Sequence, residues 1–263
     1  MTSGRGNPAK RSAWLRPALL LAVTAAAAFV VFRLPAIPQD PAFHRFADAR
    51  PLWGIPSFGN VFSNLAFLIV GPLGLARLRS AGDRTTEKGA WIVFFLGIML
   101  TAFGSAYYHW APSNATLVWD RLPLSLGFMG FLAGVLGEWI SPRLGRLLLW
   151  PLVGVGAASV LYWYAGEVRG HGDLRPYVLV QFLPLLMIPL IMALYRSPTT
   201  HGRYIFFALV WYGLAKVFEL FDRQIFSSLG FVSGHTLKHL AAAAGCWTLV
   251  SMLGIRAPLQ DQG

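Results

Sequence analysis

Acidic residues are scarce in this chain: 11 Asp and Glu stand against 22 Lys and Arg among 263 residues. Charge of either sign makes up only 13% of the sequence, about half of the roughly 25% that a soluble domain carries. A disordered, self-solvating chain is excluded, because such chains are rich in charge and poor in apolar residues. Cysteine is almost missing as well. Cys246 has no second cysteine to pair with, so this is not a disulfide-stapled secreted scaffold, and cysteine usage carries no information on redox compartment. The collagen period, internal repeats and low-complexity tracts are absent too, apart from the short run Ala25–Ala28. No polar stretch is long enough for a separate soluble domain.

What is present is apolar. Hydrophobic residues make up 56% of the chain, and the mean hydropathy is +0.55. Eight runs approach the roughly 20 residues that cross a bilayer as helix: Pro17–Phe32, Phe58–Leu78, Ala90–Tyr108, Leu117–Ile140, Leu147–Gly166, Tyr177–Tyr195, Tyr204–Leu220 and His235–Gly254. Short connections rich in Arg, Pro and Gly join them. The expected fold is therefore all-α, a polytopic membrane helix bundle with eight transmembrane helices. Its parts are a basic leader (1–16), an N-terminal transmembrane helix (17–34), a seven-helix domain (45–254) and a tail (255–263). A basic leader before a short apolar core also describes a secretory signal peptide. However, Arg33-Leu34-Pro35 follows the core in place of a small-x-small cleavage site, which favours an uncleaved helix.

Orientation follows from Lys and Arg, which accumulate in cytoplasmic loops. With eight alternating helices, thirteen fall on the side of the N-terminus and seven on the other, while Lys216 and Lys238 lie within helices. Both termini are therefore expected in the cytoplasm. The net charge of +11 is spread over loops with no domain to present it, so no nucleic-acid partner is expected; the bilayer is. Arg outnumbers Lys 18 to 4, a bias that fits a bacterium with a GC-rich genome and hence an inner membrane. Oligomeric state is not readable.

Ionisable residues inside membrane helices are costly and mark function. The topology brings several of them to one face, the outer one: His109, Asp120, Lys216, Glu219, Asp222, His235 and His239. His235 and His239 are spaced i, i+4, which puts both imidazoles on one helix face, about 6 Å apart at Cβ. Zinc sites on helices use this spacing, and a third ligand with water in the fourth position would make a catalytic site. His109 is the only other histidine placed in a helix at that depth. His44 and His171 fall in outer loops, and His201 falls on the opposite side. Other readings stay open: Asp120 as an interfacial partner of Arg121, and Lys216, Glu219 and Asp222 as a structural ion-pair ladder or as support for a ligating histidine. Trp110, Trp119, Tyr107 and Tyr108 are expected in the aromatic belt at this interface.

The ordered set Ser105-x-x-x-His109, then Asp120 in Trp119-Asp120-Arg121-Leu122-Pro123, a late Asp222-Arg223 and finally His235-x-x-x-His239 resembles the alkaline ceramidase family. That family belongs to a wider group of seven-helix membrane hydrolases that includes adiponectin-receptor and haemolysin III-like proteins. An Asn60-Val61-Phe62-Ser63-Asn64 stretch opens the helix before the first motif, and the likeness covers about residues 45–254. The resemblance implies a seven-helix core with one extra N-terminal helix. It also implies a Zn2+ cofactor on His109, His235 and His239, with Ser105 and Asp120 completing the catalytic group and a membrane lipid as substrate. The implied reaction is hydrolysis of the amide of a ceramide-like or other N-acyl lipid, with the site on the non-cytosolic, here periplasmic, face. Glu219, Asp222 and Lys238 are expected in a supporting shell. Two departures stand out. Before the first core helix, where the family carries a calcium-binding acidic cluster, the chain offers Asp48 but no comparable set of carboxylates, so calcium is not expected. Lys238 stands where an aromatic residue usually precedes the second histidine of the pair.

The residues alone leave two other classes open: a receptor-like metalloprotein with little turnover, and an ion-coupled transporter using Lys216, Glu219 and Asp222. Against the transporter, the ionisable residues do not continue to the other face, and no symmetric pair of broken segments is present.

Overall fold

In a computed structural model, residues 8–80, 87–196 and 202–255 are described, with side chains from residue 14 onward. Arg5, Arg84, His201, Arg256 and the tail beyond residue 255 lie outside the described residues, as do the side chains of Lys10 and Arg11. Among the described residues the chain is all-helical, without strands. The helices are α1 (Pro8–Arg33), α2 (Phe58–Phe62), α3 (Leu65–Ser80), α4 (Lys88–Trp110), α5 (Asn114–Trp139), α6 (Pro142–Val168), α7 (Arg175–Leu194), α8 (Arg203–Leu220), α9 (Asp222–Leu229) and α10 (Gly234–Ile255).

Among the described residues six spans are long and apolar enough to cross a membrane, and a seventh is added if α8 and α9, bent by 73° to one another, count as one. These long apolar helices are those of a multi-pass membrane protein. The helix α10 has 22 residues; His235, Lys238 and His239 in its first turns lower its hydropathy. Two expected boundaries change. The helix α1 begins at Pro8, so half of the supposed leader is helical, with Pro17 inside it. The run Phe58–Leu78 is broken at Ser63 and Asn64 into α2 and α3.

The helix α5 is central: every side chain from Met129 to Trp139 is buried. A capping box starts it, with Ser113 Oγ accepting from the Thr116 backbone N–H. Packed around it are α4, α6 and α7, while α3 leans on α4 and α10, and α8 on α10. At the rim α1 packs on α7, where Leu20 is buried and Thr24 Oγ1 reaches Met187 Sδ. Elsewhere the outward faces carry exposed Leu, Phe and Trp, such as Trp150 and Leu161, as a lipid-facing surface does.

Helix ends gather at two poles. At one, Leu174 N–H donates to Ile37 O, joining the end of α1 to the start of α7, and His109 at the end of α4 meets His235 at the start of α10. At the other, Arg146 meets Glu87 and Arg16 lies over Tyr195. Between α1 and α2, a strap of residues 34–57 crosses the first pole with one 3-10 turn (Pro41–His44). Residues 35–44, left outside the seven-helix domain in the sequence, pack into it: Gln39 N–H donates to Glu167, and Gln39 Oε1 accepts from Arg121.

Candidate metal centre

Two helices supply the centre. His109 comes from the last turn of α4, and His235 and His239 from successive turns of α10. All three are buried, and one ring nitrogen from each lies within 4.8 Å of the others. This His triad can bind a metal ion. Nε2 of His109 and Nε2 of His235 face each other at 3.2 Å. Two nitrogens bound at about 2.0–2.1 Å to one tetrahedral ion stand about 3.3 Å apart, so the pair is set as a ligand pair would be. The imidazole rings pack edge-on or tilted, with centroids 4.7 to 5.0 Å apart.

The surroundings orient the rings. Ser63, at the break between α2 and α3, lies with its Oγ 2.8 Å from Nδ1 of His239 and 3.1 Å from the Asn60 carbonyl. Its hydroxyl proton goes to that carbonyl, so it accepts from His239 Nδ1–H, and the other ring nitrogen is left free to ligate. Phe46 of the strap packs on His109 and His235, at 4.6 and 5.0 Å between centroids. Nδ1 of His109 is buried without a hydrogen-bond partner.

Asp222 opens α9. Its Oδ1 accepts the His235 backbone N–H at 2.7 Å, and its Oδ2 accepts the Ala47 N–H at 3.0 Å. A carboxylate is well placed at the N-terminus of α10, so Asp222 holds the backbone that carries His235 and ties the strap to it. It contacts no imidazole nitrogen. Asn60 Oδ1 accepts from Ser233 and Thr236 and fixes the same helix start.

Beside the triad lies a cavity of about 270 Å³, lined by His239, Ser105, Asp120, Arg121, Lys216, Glu219 and Lys238 among others. Ser105 from α4 and Asp120 from α5 line this cavity together. Gly104 makes this possible: a Cβ there would collide with the Trp119 carbonyl, so α4 and α5 touch backbone to backbone beside the pair. Glu219 bridges two cations, with Lys216 Nζ at 2.6 Å and Lys238 Nζ at 2.5 Å. Lys216, Glu219 and Lys238 thus form one ion-pair cluster, and Asp222 stands apart from it. Arg121 does not turn outward as a partner in an interfacial ion pair. It is buried against Trp163 and Tyr177, at 4.2 and 4.9 Å from the ring centroids.

A second, apolar cavity of about 90 Å³ shares Phe67, Leu124, Phe128, Tyr212 and Ala242 with the first and continues among Phe131, Pro184 and Leu249. Gln181 Nε2 donates to the Tyr212 hydroxyl at 2.9 Å across the gap between α7 and α8.

The other expected residues are placed as follows. His44 pairs with the Tyr108 hydroxyl and Asn114, and His171 lies in the exposed turn after α6. Trp110, Trp119 and Tyr107 are exposed, whereas Tyr108 is buried and does not belong to an interfacial belt. Asp48 is occupied by Arg50, whose guanidinium holds the Asp48 carboxyl below the usual carboxylate range. Phe46, Ser63 and Arg121 carried no site role in the sequence. For Ser63 a signal existed in the polar Asn60–Asn64 run that interrupts an apolar span; Phe46 had none.

The sequence matches no protein-family model and no curated protein.

Proposed function

We propose that this protein is a zinc-dependent membrane hydrolase of the alkaline ceramidase type, cleaving the amide bond of an N-acyl lipid. One observation carries the proposal: three buried imidazoles have converging nitrogens, and one of them, His239, lines a cavity together with Ser105 and Asp120. A structural metal site would need neither the cavity nor the acid beside it. Three histidines match a catalytic zinc site with its fourth position open. Bound there, zinc supplies a Lewis acid and lowers the pKa of bound water toward about 7.

The chain's own groups do the rest. Asp120 takes a proton from the attacking water and returns one to the departing amine nitrogen as the C–N bond breaks. The water oxygen ends on the acyl carbon, and the products are a fatty acid and an amine. Ser105 orients the Asp120 carboxyl and can donate to the carbonyl oxygen as charge develops there. It is not the nucleophile, because no histidine is left free to activate it. The apolar cavity between α5, α7, α8 and α10 receives the acyl chain. Eight membrane crossings with both termini in the cytoplasm, the inner membrane of a bacterium and a periplasm-facing site complete the proposal.

The test is metal analysis of the detergent-purified protein beside His235→Ala, followed by mass spectrometry of N-acyl lipids incubated with wild type and Asp120→Asn. Near-stoichiometric zinc, lost in His235→Ala, with turnover lost but metal kept in Asp120→Asn, is the expected result. Folded wild type that takes up no metal when zinc is offered would overturn the proposal.

A further inference from the structure

The cavity beside the histidines is charged in an uneven way. Three cations line it, Arg121, Lys216 and Lys238, against two carboxylates, Asp120 and Glu219. Glu219 is shared by both lysines. A dication on the histidines would add to the excess. The cavity therefore carries an excess of positive charge that an anion would balance.

Arg121 shows where that anion sits. The residue is 6% exposed. Its Nη2 donates to Gln39 Oε1 at 2.7 Å, while its Nη1 is buried with no hydrogen-bond partner. Trp163, Tyr177 and Phe43 surround the guanidinium with ring faces. Rings hold a guanidinium in place and leave its N–H groups free. Nη1 is therefore a buried donor without a partner, on a side chain that lines the cavity and follows Asp120 in sequence. The apolar extension leaves the cavity among Leu124 and Phe128, one and two turns further along α5 from Arg121, and Ala242 of α10. Arg121 itself reaches up to Gln39 on the strap. Acyl chain and head group are thus assigned to opposite ends.

Resting on the hydrolase proposal above, and deepening it, we infer that the substrate is an N-acyl amphiphile whose head group carries an anion, a carboxylate or a phosphate, that pairs with the unpartnered Nη1 of Arg121. A neutral ceramide leaves that donor unsatisfied; an N-acyl amino acid or an N-acyl aminoalkyl phosphate does not.

The experiment is calorimetric titration of the full-length, detergent-purified protein, kept zinc-free with chelator so that no turnover occurs. The probes are N-oleoylglycine, N-oleoylethanolamine phosphate and the neutral N-oleoylglycinamide. Wild type is expected to bind at least one anionic probe about ten- to hundredfold tighter than the amide, the range of a charge-assisted hydrogen bond. The tighter of the two anions names the head group. In Arg121→Gln the preference is expected to vanish with the affinity for the amide kept. Equal affinity of wild type for all three probes overturns the inference without recourse to any variant. A preference that survives in Arg121→Gln overturns the assignment to Arg121. Turnover enters none of these readings, so failure of the hydrolase proposal would show separately, in the zinc and hydrolysis assays.

Discussion

At the scale of single residues, the centre depends on groups that touch the ligating histidines without being ligands. Ser63 is the clearest. Its hydroxyl is the partner of His239 Nδ1, and such partners fix both the tautomer and the angle of the ring. Ser63→Ala is expected to weaken zinc binding about 10- to 100-fold, read by competition with a chelator of known affinity, with the helical circular dichroism unchanged. Asp120 and Ser105 are separable by the same logic. Asp120→Asn removes the proton carrier and is expected to lower turnover about 10²- to 10⁴-fold. Ser105→Ala leaves the carboxylate and is expected to cost less. Equal losses in steady-state hydrolysis would place the hydroxyl in the proton path itself. The histidines and Asp120 stood out in the sequence because ionisable groups are rare inside apolar runs, whereas Ser105 was named only through the family resemblance. Phe46 did not stand out, because one aromatic residue in a loop looks the same whether it meets solvent or stacks on an imidazole. The pairing of Arg121 with Asp120, left open in the sequence, is not made, because consecutive helix positions point about 100° apart.

At the scale of elements, close approach decides whether Ser105 meets Asp120. A Cβ at Gly104 would collide with backbone of α5, which cannot swing away as a side chain can. Gly104→Ala is expected to lower stability by about 1–3 kcal/mol and to reduce turnover, since the displaced helix carries Ser105. Gly213, in α8, has open space around it. Gly213→Ala is expected to be neutral or to stabilise by up to about 1 kcal/mol through helix propensity. Thermal melts in one detergent separate the two, and equal effects would remove the packing argument. The strap is the other element on which the centre depends. Arg50 holds it by pairing with Asp48 and donating to the Gly230 and Phe231 carbonyls. The Asp48 carboxyl is depressed in the folded state, mainly by its bonds to Arg50. Its contribution is therefore present above the ordinary carboxylate pKa and lost as pH falls through the lower folded value. Wild-type melting temperature should drop on acidification through that range, and Asp48→Asn should be less stable at neutral pH and less sensitive to acid. The strap escaped the sequence because it has neither an apolar run nor a period; only contacts made by distant residues give it a place. The long helices were legible because each needs only its own apolar run, whereas the break at Ser63 and the bend after α8 are set by polar contacts that the run does not reveal.

At the scale of the whole molecule, the poles decide from which side a substrate arrives. The end of α6 and the start of α7 meet the strap above the histidines, while the start of α6 meets the start of α4 at the other pole. Arg169 and Arg143 are exposed at these two ends of α6. The Lys and Arg asymmetry predicts that the pole of Arg143 is cytoplasmic. With Cys246→Ala as background, Arg169→Cys is expected to react with a membrane-impermeant maleimide on intact cells. Arg143→Cys is expected to react only after permeabilisation. The reverse pattern would turn the molecule over and place the histidines toward the cytosol. Equal labelling of both positions in intact cells would mean that the seven-to-thirteen asymmetry does not fix one orientation. The expected pattern has a chemical consequence. Below the strap the cavity lies between α5, α7, α8 and α10, with its charged wall near the outer pole and its apolar extension deeper in the bundle. A lipid held there in one piece has its head group level with Arg121 and its chain buried, which is how a lipid of the outer leaflet already lies. An N-acyl lipid supplied from that leaflet should therefore be turned over in right-side-out vesicles without flipping, and inside-out vesicles should need detergent to show the same rate.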